Sequence, residues 1–437
     1  MQLHIGLDDT DSRSGGCTTY LAARLVERLT KLELHFLDYP NIIRLNPNIP
    51  YKTRGNAAVV LRLEVDDALY CTVREIVLDE IEQESKIGEE GTDPAVIFLL
   101  GKPGASIRKI ARRALSEIVP VRDAVLNITR ENAEAVTFGS NVGLVGALAA
   151  IGNTIEGDHT YELIAYRNRE YCGTPRCVDK DSVIRMNSLT APLTFNNYDE
   201  ASKRLLITPH GPDPVLVGIR GESPESVRKG FNLLKIHEPV ERWVIFRTNH
   251  ATDDHLKATR PGRVKRNCPV VLPGKVVERP KRLLGGHALF TLQAEHGRYI
   301  CAAFEPTGDF RDVVDELHPG DQITAFGGTS GKHGLTVNLE KLWVRRLTHV
   351  LASRNPRCPS CGKSLKSAGR EKGFKCVRCP MVAPHAKKKR TCEERPLKPG
   401  IYLPTLKAHR HLTKPLCRYG RERTWDNKPP SDVWHSP

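Results

Sequence analysis

Three aspartates fall within four positions near the start of the chain: Asp8, Asp9 and Asp11 in GLDDTDSRSGGCTTYLA. Carboxylate oxygens suit a hard cation such as magnesium, which takes one or two of them together with phosphate oxygens and water. Two glycines and then Cys17, Thr18 and Thr19 follow, where the pattern turns helical. A helix start offers free N–H groups and the positive end of a dipole to phosphate. Asp, Ser and Gly also build plain turns, so a purely local reading stands beside the metal-phosphate one. Lys52, Arg54 and Asn56 in YKTRGNAAVV, and Arg220 in GIRGE, supply groups that a phosphate needs. A guanidinium clamps phosphate through paired N–H bonds. The sequence holds no G-x4-G-K-[ST] loop and no H-R-D or D-F-G set, which excludes P-loop enzymes and ordinary protein kinases.

Twelve cysteines occur, and four of them, Cys358, Cys361, Cys376 and Cys379, form C-x2-C, fourteen residues, C-x2-C. Each pair spans a knuckle that places two thiolates on one tetrahedral zinc, and four thiolates leave no open catalytic position. The zinc is therefore expected to be structural. Cys172 and Cys177 in YCGTPRC are a redox pair, a metal pair or simply free thiols.

These groups need elements to hold them. Positions 3–7 read as a strand and 18–32 as a helix, followed by a strand in AAVVLRLEV, a helix over 67–84, a strand in AVIFLL and a helix over 106–118. Strands alternating with helices imply a sheet covered by helices. A second unit runs from 127 to about 240 and contains GSNVGLVGALAAIG, DHTYELIAYR, FNNYDEASKR and PVLVGIRG. The glycines of the first of these fit either a phosphate loop or close helix packing. A basic, Gly/Pro-marked linker, KATRPGRVKRNCP, leads into a strand-rich stretch with one short helix in DFRDVVDELHPGD. Several strands in about 80 residues with a helix before the fourth is an OB-fold pattern, an architecture that binds oligonucleotides.

The chain of 437 residues carries a net charge of +15. From Met381 to Pro437 there are 13 Lys or Arg against 5 Asp or Glu. Such a balance favours a polyanionic partner, above all nucleic acid, and Tyr419 and Trp425 among the bases suit unstacked nucleotides. The same composition also suits a disordered, solubilising tail. No apolar run approaches a membrane span and no signal peptide is visible, so a cytoplasmic protein without a membrane partner is expected.

Taken in order, GLDDTDSRSGGCTT, YKTRGNAA, GLVGALAAIG, DHTYELIAYR, PVLVGIRGE, RTNHATDDHL, an OB-like stretch and a zinc ribbon resemble the archaeal tRNA-Ile 2-agmatinylcytidine synthetases, over nearly the whole chain. The resemblance implies a multidomain α+β protein. Its parts are a kinase-like α/β domain (1–126), a ferredoxin-like agmatine-binding region (127–245, with room to interleave with the first), an OB-fold β-barrel (269–348), a C-terminal zinc ribbon (354–384) and a basic tRNA-binding tail (385–437). It implies ligation of agmatine to the wobble cytidine of tRNA-Ile with a CAU anticodon, so that AUA is decoded. ATP would phosphorylate the 2-carbonyl oxygen, the agmatine amine would displace phosphate, and AMP would be produced. Carried onto this sequence, Asp8, Asp9 and Asp11 are Mg2+ ligands and catalytic, as is Arg54, while Thr18 is the autophosphorylated residue. Lys52, Arg54, Asn56 and Arg220 bind ATP phosphates. Asp158, Glu162, Tyr198 and Asp199 are expected to bind agmatine, whose cationic ends call for carboxylates and an aromatic face. The cofactors implied are ATP, Mg2+ and structural Zn2+. Two rivals stay in view from the residues alone: a non-catalytic single-stranded nucleic-acid binder of OB-fold plus zinc-ribbon type, and a metal-dependent nuclease.

Overall fold

The computed structural model describes residues 1–258, 264–331 and 335–436. Part of the expected basic linker, 259–263, lies outside the described residues. Strands β1 (Gln2–Asp8), β2 (His35–Phe36), β3 (Asn41–Arg44), β4 (Ala57–Glu64), β5 (Ala95–Leu100) and β6 (Glu134–Thr137) form one half of a ten-stranded sheet. The other half contains β7 (Thr160–Arg167), β8 (Thr194–Phe195), β11 (Val215–Gly221) and β12 (Val240–Thr248), while β9 (Tyr198–Asp199) and β10 (Arg204–Leu205) make a separate hairpin. The order is β6-β5-β1-β4-β3-β12-β7-β11-β8, with β2 beside β4. The halves meet at β3 and β12, a short parallel pairing of Arg247 with Asn41 and Thr248 with Ile42.

Period-2 alternation decides what β1 does. Leu3, Ile5 and Leu7 are fully buried on the face covered by helices α1 (Thr18–Thr30) and α2 (Asp67–Glu84). His4, Gly6 and Asp8 take the opposite face, over which α3 (Ala105–Ala114), α4 (Val121–Arg130) and α5 (Gly143–Gly152) lie. At Gly6 a Cβ would stand 2.3 Å from the Ala147 carbonyl oxygen, so only glycine lets α5 settle on β1 at this depth. The second core cluster, with Val60, Ile97, Ile107, Leu148 and Ile151, fills that layer. The expected helix over 106–118 ends at Ala114, and a new one starts after Pro120, whose ring fits a helix N-terminus but not a helix interior. The 126/127 line falls inside α4, whose Ala124 and Ile128 pack in this same cluster.

Residues after 264 form a closed five-stranded barrel of β13 (Pro269–Val276), β15 (Ala288–Ala294), β16 (Gly297–Ala303), β17 (Gln322–Ser330) and β18 (Thr336–Arg346), with β14 (Lys281–Arg282) as an edge piece. Pairing of β13 with both β15 and β17 closes the ring, and a short helix, Phe310–Asp315, sits between β16 and β17. A small three-stranded sheet then carries the four spaced cysteines.

The last segment is ordered and returns to the body. Gly400–Tyr402 pairs with β18, and farther on Trp434 packs against Phe36 and Tyr39 in the first core while His435 bridges Val244 of β12. Between them Arg418 is wholly buried. This strap therefore spends Arg395, Arg410, Lys414 and Arg418 on internal ion pairs, whereas Lys387, Lys388, Lys389 and Arg390 stay exposed. No helix among the described residues is long and apolar enough to cross a membrane.

Candidate active site

Asp8 ends β1 on the α5 side, and its carboxylate fills the space a side chain at Gly146 would need: a Cβ there would stand 1.8 Å from Asp8 Oδ2. Asp9 takes a left-handed backbone (φ 59°), which turns the chain sharply out of the strand. Ser12 and Gly15 close a small turn (N–H to carbonyl 2.8 Å) that folds the loop back, so Thr10 Oγ1 donates to Thr18 Oγ1 at 3.0 Å at the start of α1. Arg54 reaches in from the 51–56 loop. Its Nε donates to Asp11 Oδ2 at 2.8 Å, and its Nη1 lies 3.2 Å from Asp213 Oδ2.

The acidic loop is electrostatically crowded. Burial, then the charges of Asp9 and Asp11, push the Asp8 carboxyl well above the ordinary carboxylate range. Burial together with Asp11 and Asp93 lifts Asp9 to about 6. Carboxylates held this way favour a dication or a proton. They do not make an all-protein cage: the set of side chains whose ligand atoms gather within 4.8 Å, among the described residues, is Cys358, Cys361, Cys376 and Cys379. Magnesium bound through one or two carboxylates plus phosphate and water needs no such cage. The cysteine cluster, by contrast, has the donor type, number and spacing of a structural zinc site.

Two clefts adjoin this loop. The first, about 790 Å³ counted out to open solvent, has Asp8, Asp9, Asp11, Lys52, Arg54 and Asn56 at its polar end. Leu45, Ile49, Val119, Val121, Val142 and Val145 give the same cleft an apolar lining. The second, about 980 Å³, is lined by Thr18, Cys17, Glu162, Asp213, Arg44, Arg220 and His411, and it shares Asp11 and Arg54 with the first. Its floor is a buried network: Glu162 is 3.0 Å from Arg220 Nε and 2.9 Å from His250 Nδ1. Arg44 Nε donates to His250 Nε2, so the neutral ring carries its proton on Nδ1, facing the carboxylate. Although burial opposes its charge, Arg220 with His250 and Arg44 holds Glu162 well below the usual range.

The structure thus brings together Asp8, Asp9, Asp11, Thr18, Lys52, Arg54, Asn56, Arg220 and Glu162 around one wall. It places the other three elsewhere. Asp158 is ion-paired with Arg418 (2.9 Å) and Lys414 (2.9 Å) and lines a separate depression near α3. Asp199 accepts from the Ala201 N–H and the Ser202 hydroxyl, fixing the β9–β10 turn, and Tyr198 is buried beside it. Arg44, Asp213, His250 and His411 were not singled out by the sequence. His411 had no local signal at all, since it arrives from the far end of the chain. No disulfide joins Cys172, which is half-buried, to Cys177, which is exposed.

The chain matches three family models: the TiaS TCKD domain over residues 4–140, the TiaS FLD domain over 141–255 and the TiaS C-terminal zinc ribbon domain over 355–397. The isoleucine-tRNA 2-agmatinylcytidine synthetase TiaS of Staphylothermus marinus is 39% identical over 452 residues, covering 99% of this chain and 98% of that protein. A crystal structure of apo TiaS superposes with a TM-score of 0.88 at 39% identity, covering 96% of this chain and 98% of the other. A crystal structure of TiaS in complex with an isoleucine tRNA, AMPCPP and agmatine superposes with a TM-score of 0.84 at 37% identity, covering 96% and 97%.

Proposed function

Because the chain belongs to the TiaS family, we infer that it joins agmatine to the wobble cytidine of an isoleucine tRNA at the expense of ATP. The observation that carries the reading onto these residues is the shared wall: Asp11 and Arg54 face both clefts, so two reactants can meet across them. A nucleic-acid binder would leave both clefts idle.

The chemistry explains why two steps are needed. A cytosine carbonyl oxygen is a poor leaving group, and phosphorylating it makes phosphate the group expelled. Agmatine's amine then forms the C–N bond at C2 as the C–O bond breaks. ATP takes the first cleft, its base against the apolar lining and its phosphates toward Lys52, Arg54 and Asn56. Asp8, Asp9 and Asp11 would hold magnesium, and the charge it supplies there would offset that of the phosphates. Arg54 is poised to hold a transferring phosphoryl group between the clefts. Thr18, on that wall, is the proposed site of autophosphorylation: Thr18→Ala is expected to abolish phosphate incorporation from γ-labelled ATP, read by mass spectrometry of the intact protein.

Agmatine takes the second cleft, where Glu162 and Asp213 meet its cationic ends. Of the four expected agmatine ligands, Glu162 is the one facing this space. Glu162→Gln is expected to raise the KM for agmatine about ten- to a hundredfold, the worth of one charged hydrogen bond. The KM for ATP should stay within about twofold; an equal rise in both would move agmatine elsewhere.

We read the barrel as an OB-fold and the cysteine sheet as a zinc ribbon, both gripping tRNA together with the exposed run 387–390. The proposed division remains 1–126, 127–245, 269–348, 354–384 and 385–437, with the first two interleaved through the shared sheet. The cytoplasm, where tRNA is found, is the compartment this reading implies. Cys376→Ser, which removes one of the four thiolates, is expected to lower tRNA affinity at least tenfold in a gel-shift titration while ATP binding holds. The function itself is tested by mass spectrometry of isoleucine tRNA with a CAU anticodon after incubation with protein, ATP, Mg2+ and agmatine. A gain of one agmatine less one water on the wobble cytidine, requiring ATP and agmatine together, is expected; an unchanged nucleoside would overturn the reading.

A further inference from the structure

The segment YCGTPRC carries two cysteines that no disulfide joins, and the residue the fold employs lies between them. Arg176 leaves this segment with its side chain 6% exposed. Its Nε donates to the Val215 carbonyl at 2.7 Å. Its Nη2 reaches the carbonyls of Gly211 (3.1 Å) and Asp213 (3.0 Å) and the Asp213 carboxylate (3.3 Å). The backbone over 211–214 is irregular, and β11 opens at Val215 with a register shift before Val217. A stretch without a ladder leaves carbonyls to be satisfied elsewhere, and one guanidinium gathers three of them here.

The segment that carries Arg176 is itself anchored. Arg167, wholly buried in β7, donates to the Thr174 carbonyl at 2.8 Å and to the Pro175 carbonyl at 3.2 Å. The Cys177 N–H donates to Glu238 at 2.9 Å, and Glu238 accepts from Arg167 Nε at 2.8 Å. Arg176 therefore works from a fixed base. What it holds is Asp213, whose Oδ1 also accepts from the Val215 N–H at 3.1 Å and whose Oδ2 lies 3.2 Å from Arg54 Nη1.

Arg54 belongs to the first half of the ten-stranded sheet, while Asp213 and Arg176 belong to the other. The second carboxylate on Arg54 is Asp11, at 2.8 Å from Nε. Asp11 is in the group proposed to hold magnesium, so Asp213 is the anchor that lies outside that group. A carboxylate has about four acceptor positions, which lets Asp213 hold Arg54 and still face the second cleft. Arg176 lines neither cleft.

We propose that Arg176 is a positioning residue for phosphoryl transfer: by fixing Asp213 it holds Arg54 at the wall the two clefts share. The proposal rests on the synthetase reading above, which sets the transferring phosphoryl group against Arg54. It makes the geometry of the first cleft depend on a side chain from the half of the sheet that carries Glu162. Misplacing such a group by about 1 Å costs about a hundredfold in rate.

The test uses the full chain and isoleucine tRNA at saturating ATP and agmatine. Arg176→Lys keeps the charge and most of the stem but replaces the fork with one ammonium. It should lower kcat for agmatine transfer about ten- to a hundredfold. Asp213→Asn should lose a similar factor, and the double variant should lose no more than the larger single loss. A second readout needs no turnover. An arginine-selective dicarbonyl, followed by mass spectrometry, should label Arg54 about tenfold faster in both variants than in the wild type. Arg247, fully buried in the core sheet, should stay unlabelled in all of them. Wild-type kcat in Arg176→Lys, penalties that multiply, or Arg54 labelled at the wild-type rate would overturn the proposal. Faster labelling of Arg247 as well would also overturn it, since that marks a general loosening of the fold. A wild type that leaves the tRNA unmodified would instead overturn the synthetase reading, and the labelling would still decide whether Arg176 holds Arg54.

Discussion

Asp8→Asn is expected to abolish agmatine transfer, lowering kcat by about 10³ or more, without harming the fold. The loss follows from position. Asp8 is the last residue of a fully paired strand, pinned against Gly146, and it lines the first cleft, where the proposed function places ATP. Removing one charge from the proposed magnesium-binding group costs several kcal/mol of transition-state stabilisation, and about 4 kcal/mol is a factor of 10³. Stability should move the other way. Burial and the charges of Asp9 and Asp11 raise the Asp8 pKa, so without a cation the native state binds a proton more readily than the unfolded chain. Stability then falls as pH rises from the ordinary carboxylate value near 4 toward the raised native value. For Asp9, raised to about 6, the window runs from about 4 to about 6. Metal-free wild type should therefore lose stability across that window, and added Mg2+ should restore it at neutral pH. Asparagine at position 8 removes part of the repulsion, so the metal-free variant should melt no lower than the wild type at pH 7 and respond less to Mg2+. A variant that melts lower and still transfers agmatine would remove Asp8 from the reaction.

That acidic loop was legible because everything that makes it is local. Period-2 alternation in β1 put Leu3, Ile5 and Leu7 on one face and Asp8 on the other, and the turn residues and helix start follow within ten positions. The cysteine quartet was legible for a similar reason, since each knuckle sets its own geometry. The GLVGALAAIG glycines left two readings open, and the structure uses them for close packing: Gly146 against Asp8, Gly152 against the Ile107 carbonyl. The second cleft was less legible. Glu162 sits in a strand pattern, but what it faces depends on Arg44, His250 and His411, which the sheet order and the strap bring in from distant positions. Asp158, Tyr198 and Asp199 have residue types that suit agmatine, yet side-chain type says nothing about which partner claims it. Asp158 is claimed by Arg418, 260 residues away. The strap was only partly legible for the same reason: its bases read as a surplus for RNA or solvent, and several of them, Arg395, Arg410, Lys414 and Arg418, also form ion pairs inside the protein.

Arg418→Met should therefore release the strap, at a cost of about 3–5 kcal/mol. Arg418 has no exposed side-chain surface, and its Nε donates to Glu222 at 2.7 Å while Nη2 reaches Asp158 at 2.9 Å. Its Nη1 also donates to the Ala251 carbonyl at 2.7 Å. One guanidinium thus ties the strap to the ends of β7, β11 and β12, and only a planar fork satisfies all three at once. Methionine fills much of the volume but strands Glu222, whose side chain is 1% exposed, beside an Asp158 that keeps only Lys414 as its ion-pair partner. The stranded charge, more than the lost attraction, sets the penalty. Arg423→Met is the control. Arg423 is 42% exposed and 3.8 Å from the same Glu222, so its loss should stay within about 0.5 kcal/mol. Under limited proteolysis, strap residues beyond 410 should be cut about two to three orders of magnitude faster in Arg418→Met than in the wild type, with the barrel and the core sheet still protected. Neutralising the acids as well, with Glu222→Gln and Asp158→Asn in the same chain, should recover much of the protection. If Arg418→Met and Arg423→Met were cut equally slowly, the strap would be held by Trp434 packing alone. Arg418 touches neither cleft, so a release of this kind should also lower agmatine transfer by withdrawing His411 from the second. The loss of activity should then track the loss of protection across all the variants.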